Sequence, residues 1–174
     1  SLGYAEDSLV QAISMRLADG TISLIIVLPR EGMFDRVEQD LSPGGMYAVV
    51  KAMQQADVRC MIPRFAVRTR RRLNDNLKAL GMTDAFGAAA DFSVVTGGAH
   101  SLFLSFVIHE AVIEVNEKGL EAAAATAVGM AEGVSEDPVT IVDFTANRPF
   151  FYALYDHRSD AVLFLGRVMV PEDS

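Results

Sequence analysis

The stretch "SLFLSFVIHEAVIEVNEK", Ser101–Lys118, runs for 18 residues without a glycine or a proline. It is rich in Val, Ile and Phe, the residues that fit a pleated surface. As one strand it spans roughly 60 Å at about 3.3 Å per residue, and most strands are about half that length. Its apolar face switches near Ile108, from Leu102, Leu104 and Phe106 to Val107, Ala111, Ile113 and Val115. A strand of this kind belongs in a large sheet and passes between two packing layers. The next segment is opposite in character. "GLEAAAATAVG", Gly119–Gly129, is a run of small residues with a glycine at each end. Alanine favours helix, yet no apolar stripe is present for a helix to bury.

The rest of the chain reads mostly as strands. "LVQAISMRLADGTISLIIVLP" predicts a hairpin with a primed turn at Asp19-Gly20. Its second strand, Ile22–Leu28, is apolar on both faces and is expected to be central and covered. "MFDRVEQDL" predicts a short helix, "SPGG" (Ser42–Gly45) a break, and "MYAVVKAMQQA" a second helix with Met46, Val49, Val50 and Met53 as its stripe. "DVRCMIPRFAVRT" alternates like a strand, with Pro63 interrupting it near an edge or a bend. "RRLNDNLKALGM" predicts a third helix, with Leu73, Leu77 and Leu80 as its stripe and Gly81 as its stop. The tail, "RPFFYALYDHRSDAVLFLGRVMVP", reads as a hairpin turning through Arg158 to Asp160. The expected class is α+β, with large, mainly antiparallel sheets and short helices.

Composition excludes several functions. At 174 residues the chain is one domain or a piece of a larger one. A net charge of -8 argues against nucleic acid as a general partner. The single cysteine, Cys60, rules out an internal disulfide or a paired-cysteine site. In its strand it reads as a small buried hydrophobe and not as a nucleophile. No stretch approaches the roughly 20 apolar residues of a membrane span. "SLGYAEDSLV" lacks a basic segment leading into an apolar run, so no signal peptide is expected there. His100, His109 and His157 lack the spacing of paired metal ligands. No phosphate loop, dinucleotide fingerprint or Gly-x-Ser-x-Gly elbow occurs, so no metal, cofactor or catalytic residue is expected. His109, in mid-strand, reads first as a core histidine with a satisfied hydrogen bond. "RFAVRTRRR", Arg64–Arg72, is the one basic cluster. It reads as a solvated strand face, with a weak polyanion contact at Arg68, Arg70, Arg71 and Arg72 as the lesser reading.

Taken together, "VNEKGLEAAAATAVG", "LGMTDAFGAAADFS", "FTANRPFFYAL", "LFLGRVMVP" and "GTISLIIVLPREG" resemble the serpins, the serine protease inhibitors. The resemblance covers essentially the whole chain and matches the C-terminal half of a serpin domain, so the N-terminal half is an expected partner. It implies that Ser101–Lys118 is a central strand of the family's main sheet. After it, residues at about 119–142 form an exposed loop that serves as protease bait. Cleavage lets the loop fold back and enter the sheet beside its predecessor, the loop insertion cited among examples of strand addition.

The implied hinge and inserting residues are Glu117, Gly119, Leu120, Glu121, Ala122, Ala123, Ala124, Ala125 and Thr126. Leu120 departs from the smaller residue that inhibitory members usually carry there. His109 matches a histidine of the family's sheet-opening region. Counting 17 residues from Glu117 puts the scissile bond at Gly133-Val134, with Val134-Ser135 as the shifted alternative. The implied function is suicide inhibition of a serine protease through a covalent acyl complex, without a catalytic residue of the chain's own. Elastase-like or subtilisin-like targets are expected, because no Lys or Arg stands between Gly119 and Asn147. The alternative within the family is a non-inhibitory carrier or chaperone. The expected location is extracellular, with the cytoplasm as the alternative; neither nucleic acid nor membrane is an expected partner.

Overall fold

The computed structural model describes residues 1–98, 101–116 and 141–171. The chain divides into two compact units, one of Ser1–Phe65 with Glu114–Ser174 and one of Ala66–Ile113.

The first unit is organised by the strands β1 (Leu2–Glu6), β2 (Val10–Arg16), β3 (Ile22–Pro29), β4 (Gln54–Met61), β7 (Ile141–Thr145), β8 (Phe150–Asp156) and β9 (Ala161–Val168). They form a seven-stranded sheet in the order β7-β4-β1-β2-β3-β8-β9. Every neighbouring pair is antiparallel except β4 and β7, which run parallel. β3 lies between β2 and β8 and is buried along almost its whole length, as its two apolar faces predict.

On one face, the register aligns Ala12, Val27 and Phe151 in one row, with Ile25 and Ala153 in the next. Two helices cover these rows: α1 (Phe34–Asp40) contributes Val37, and α2 (Pro43–Ala52) contributes Met46. Phe34 stacks on Phe151 with ring centroids 4.6 Å apart, anchoring the start of α1 to the sheet. Met46 is fully buried, and burying such a side chain contributes about 1.5–3 kcal/mol.

Several local expectations are corrected. The first hairpin does not use a primed turn. Gly20 N–H donates to Leu17 O, so the turn is Leu17–Gly20, and only Gly20 has a positive φ. The Asp19 carboxylate instead accepts from the backbone N–H and hydroxyl of Thr21, which holds the bend. "SPGG" is not a break but the start of α2. Ser42 caps the helix by accepting from Gly45 N–H at 3.2 Å, with Pro43 in the first turn, where its missing donor does no harm. The helix ends at Ala52, because Gln54–Ala56 are drawn into pairing with β1.

Gly45 is required by a close approach: an added Cβ would stand 2.5 Å from the Asp40 carbonyl oxygen, whereas one on Gly44 would meet only Ser42 Oγ at 3.7 Å. Gly44→Ala is therefore expected to stabilise the fold by up to about 1 kcal/mol through helix propensity. Gly45→Ala is expected to destabilise it by about 1–3 kcal/mol despite the same gain. Paired thermal melts check this; a Gly45→Ala protein as stable as Gly44→Ala would contradict the close contact.

The second unit holds a two-stranded sheet of β5 (Phe65–Arg72) and β6 (Ile108–Val115). Pro63 marks the point where the chain leaves one sheet for the other. The helix α3 (Asn74–Ala79) ends as predicted. Gly81, at φ 100°, donates to Lys78 O and Met82 N–H donates to Leu77 O, the paired bonds of a Schellman stop. Its leucine stripe is incomplete: Leu73 and Leu77 are half-buried, but Leu80 is 84% exposed. A short 3-10 turn (Asp84–Phe86) and α4 (Ser93–Thr96) come next.

The long strand is shorter than its sequence predicts. Among its described residues, Ile108–Val115 is strand and Ser101–Val107 is not. In that segment side chains replace a ladder: Asn74 Nδ2 and Arg72 Nη2 both donate to Ser105 O, and Asn74 Oδ1 accepts from Val107 N–H. Leu102, Phe103 and Phe106 stand exposed there.

Candidate functional site

β6 is the last strand before the small-residue run that the sequence marks as the expected bait. Its residues alternate, with Ala111, Ile113 and Val115 half-buried and the residues between them exposed. That is the face the sequence assigns to the second half of the strand. One edge of β6 pairs with β5. Across this pair Arg68 Nε donates to Glu110 Oε1 at 2.7 Å. Among the described residues no strand lies against the other edge of β6.

His109 lies on β6, on the same side as Ala111 and Ile113 by strand alternation. It is exposed, which overturns its reading as a core histidine. The expected hinge residues Glu117 and Gly119–Thr126 and the expected reactive-bond residues Gly133, Val134 and Ser135 lie outside the described residues; the next described element is β7, from Ile141.

The basic cluster is partly consumed by internal contacts. Arg68 pairs with Glu110 and Arg72 donates to Ser105 O, while Arg70 and Arg71 are exposed beside a hollow shared with Phe106 and Ile108. Cys60 is half-buried, and desolvation pushes its thiol up to about 11. It therefore stays protonated at neutral pH, in keeping with an inert side chain.

One polar cluster in the first unit has no counterpart in any sequence motif. Ser23 Oγ and His157 Nε2 stand 2.7 Å apart, joined by strand register across 134 residues of sequence. Ser23 is fully buried, so the pair is structural and not a nucleophile with its base. Next to it, the buried Tyr155 hydroxyl donates to Asp160 at 2.8 Å, and Lys51 of α2 reaches the same carboxylate at 3.4 Å. Burial and that carboxylate push the Tyr155 phenol up to about 12. The tip of the β8–β9 hairpin is thereby tied to α2.

The family model described as serpin (serine protease inhibitor) matches residues 1–171. This chain belongs to the serpin family. It is 35% identical over 170 residues to an uncharacterised serpin-like protein of Thermococcus kodakarensis, covering 98% of this chain and 39% of that protein. It is also 35% identical to the leukocyte elastase inhibitor A of Rattus norvegicus, covering 97% of this chain and 46% of the relative. Among solved structures, the native state of the thermophilic serpin tengpin aligns with a TM-score of 0.74 at 27% identity, over 97% of this chain and 44% of that one. The complex of thyroxine-binding globulin with thyroxine aligns with a TM-score of 0.75 at 24% identity, over 99% of this chain and 44% of that one, and shares the fold. The chain thus spans under half the length of the serpins it matches.

Proposed function

We propose that this chain is the bait-bearing C-terminal portion of an inhibitory serpin that traps serine proteases of the elastase or subtilisin kind. What supports the reading most is the second edge of β6, unpaired among the described residues, with the small-residue run Ala122–Ala125 coming after it in sequence. A β-strand edge is a row of unpaired donors and acceptors that accepts another strand. Small side chains enter such a gap at little steric cost. A loop cleaved near Gly133-Val134 folds back at Gly119 and supplies that strand. The protease, still esterified through its own serine, is dragged with it. Displacing the ester from the oxyanion hole and histidine by about 1 Å is enough to slow deacylation about 100-fold. The chain supplies a substrate-like bond and a metastable fold, and no catalytic group.

The name of its rat relative, an elastase inhibitor, supports the protease class. Non-inhibitory members of the family typically lose the small-residue hinge, so the run Ala122–Ala125 favours inhibition. The test is incubation of the complete serpin with elastase, subtilisin and trypsin, read by denaturing electrophoresis. A covalent band with elastase or subtilisin and none with trypsin is expected. Clean cleavage by elastase and subtilisin without a covalent band would refute the proposal.

A further inference from the structure

We propose that the join between the β2–β3 turn and the tip of the β8–β9 hairpin is an acid-sensitive latch. It is closed at neutral pH and opens locally when His157, held between Ser23 and Arg16, takes up a proton. The two turns meet at one end of the sheet, where the register pairs Ile22 with Asp156 and Ser23 with Tyr155. His157 closes the join twice. Its backbone N–H donates to Thr21 O at 3.0 Å, and its Nε2 lies 2.7 Å from Ser23 Oγ. The ring is half-buried, with the Tyr155 ring edge-on to it at a centroid distance of 5.1 Å.

The groups around the ring favour its neutral form. Arg16 of β2 lies directly across the ladder from Ser23. Its guanidinium donates to Gly20 O at 2.6 Å and makes no ion pair among the described residues. Lys51 of α2 is a second cation, reaching Asp160 at 3.4 Å and standing over the Tyr47 ring. The carboxylates on this side are turned to other donors. Asp156 accepts from Arg158 N–H and the Ser159 hydroxyl, Asp160 from the Tyr155 hydroxyl and Lys51, and Asp19 from the N–H and hydroxyl of Thr21. Among the described residues none of the three hydrogen-bonds the imidazole. A neutral imidazole can take the Ser23 proton at Nε2, whereas an imidazolium donates from both nitrogens. Ser23 is fully buried, so on protonation its own hydroxyl proton loses the imidazole as a partner at a place closed to water, which is costly.

The electrostatics agree with the geometry. Burial, and next the Arg16 charge, hold the His157 pKa below its usual value; Asp160 and Asp156 oppose this, and Lys51 adds to it. When the join opens, the ring returns to water and titrates near its ordinary value, around 6.5. The opened form therefore binds more protons in the window below that value. The latch is at full strength above about pH 6.5 and weakens as pH falls through the window. The Tyr155 phenol, pushed up to about 12, stays neutral throughout. Asp19, Asp156 and Asp160 are held below the ordinary carboxylate range by the hydrogen bonds they accept and stay charged. Of these groups only His157 titrates in the window.

The experiment is amide hydrogen exchange of the complete serpin at about pH 7.5 and 5.5, read by mass spectrometry, with exchange times scaled to the intrinsic rate at each pH. Peptides covering Leu17–Ile22 and Asp156–Asp160 are expected to lose protection by about two- to tenfold at the lower pH. Those covering Ile25–Val27, in the middle of β3, are expected to keep it. His157→Gln, which keeps a polar partner for Ser23 and does not titrate, is expected to protect the two turns equally at both pH values. Arg16→Gln removes the neighbouring cation and is expected to shrink the loss. A thermal melt confirms that each variant is folded, and if His157→Gln does not fold, Arg16→Gln carries the test. Equal protection of the parent turns at both pH values overturns the proposal. So does an equal loss at Ile25–Val27, which would mark global unfolding in place of a local latch. A loss that persists in folded His157→Gln, or is undiminished in folded Arg16→Gln, overturns it too. Protease trapping plays no part in these readouts, so the proposal stands or falls apart from the inhibitor reading.

Discussion

Cleavage of the complete serpin in the Gly133–Ser135 segment is expected to raise its melting temperature by on the order of 12–25 °C. The size follows from the hydrogen bonds of the inserted strand. About a dozen residues gaining ladder bonds on both edges, at roughly 1 kcal/mol net per bond, contribute on the order of 10–20 kcal/mol. For a molecule somewhat over twice the length of this chain, the unfolding entropy is about 0.8 kcal/mol/K at the usual value per residue. Dividing the one by the other gives the expected shift. Alanine is a mediocre strand former, but that propensity spans only about 1 kcal/mol per residue. A glycine at position 119 suits the expected reversal of chain direction, because glycine can adopt backbone conformations closed to other residues. Differential scanning calorimetry before and after limited proteolysis measures the shift. An unchanged melting temperature after clean cleavage would sink the insertion mechanism.

A single charge in the inserting run is expected to convert the inhibitor into a substrate. Residues two apart in a strand share a face, so Ala122 and Ala124 form one row of the inserted strand and Ala123 and Ala125 the other. One row must face the layer beneath the sheet. Burying an unpaired carboxylate there costs several kcal/mol, and each 1.4 kcal/mol added to the insertion barrier slows it about tenfold. Deacylation then wins the competition. Of Ala122→Asp and Ala123→Asp, one is expected to be cleaved at the normal rate but to lose trapping by at least tenfold, and the other to stay close to the parent. The stoichiometry of inhibition reads this directly. If both variants trap one protease per molecule, the inserted-strand account fails.

Much of the fold is legible in the sequence wherever a local pattern has a single physical meaning. β3 declares itself by being apolar on both faces, the β8–β9 hairpin by two apolar runs around a polar turn, and the stop of α3 by Gly81. Sequence and structure part where a tertiary partner decides the outcome. "MQQA" continues the apolar stripe of α2, but pairing with β1 claims Gln54–Ala56 as strand. β1 itself is short and carries glycine and glutamate, so it makes no pattern until β2 and β4 flank it. Ser101–Val107 reads as strand by composition, yet the side chains of Asn74 and Arg72 take hydrogen-bonding positions on it that a neighbouring strand would occupy. His109 is exposed for a related reason: an apolar strand sequence implies burial only when something covers it.

The small-residue run between Gly119 and Gly129 is legible because its chemistry is local. The polar cluster of Ser23, His157, Tyr155 and Asp160 is not. Ser23 meets His157 only through the β3–β8 register, and no spacing along the chain announces the pair.

Mass spectrometry of the peptide freed from the covalent protease complex on denaturation tests the central claim most directly. Between Gly119 and Asn147 the chain offers no Lys or Arg, so the carboxylate in a trypsin-like specificity pocket finds no cation, and Glu132 would be repelled by it. Gly133 and Val134 suit a small, shallow pocket of the elastase kind, and Met130 leaves a lesser chymotrypsin-like or subtilisin-like cut. The predicted result is a complex with an elastase-like or subtilisin-like protease, and a freed peptide beginning at Val134 or Ser135. A freed peptide beginning before Ala131, or a stable complex with trypsin, would contradict it.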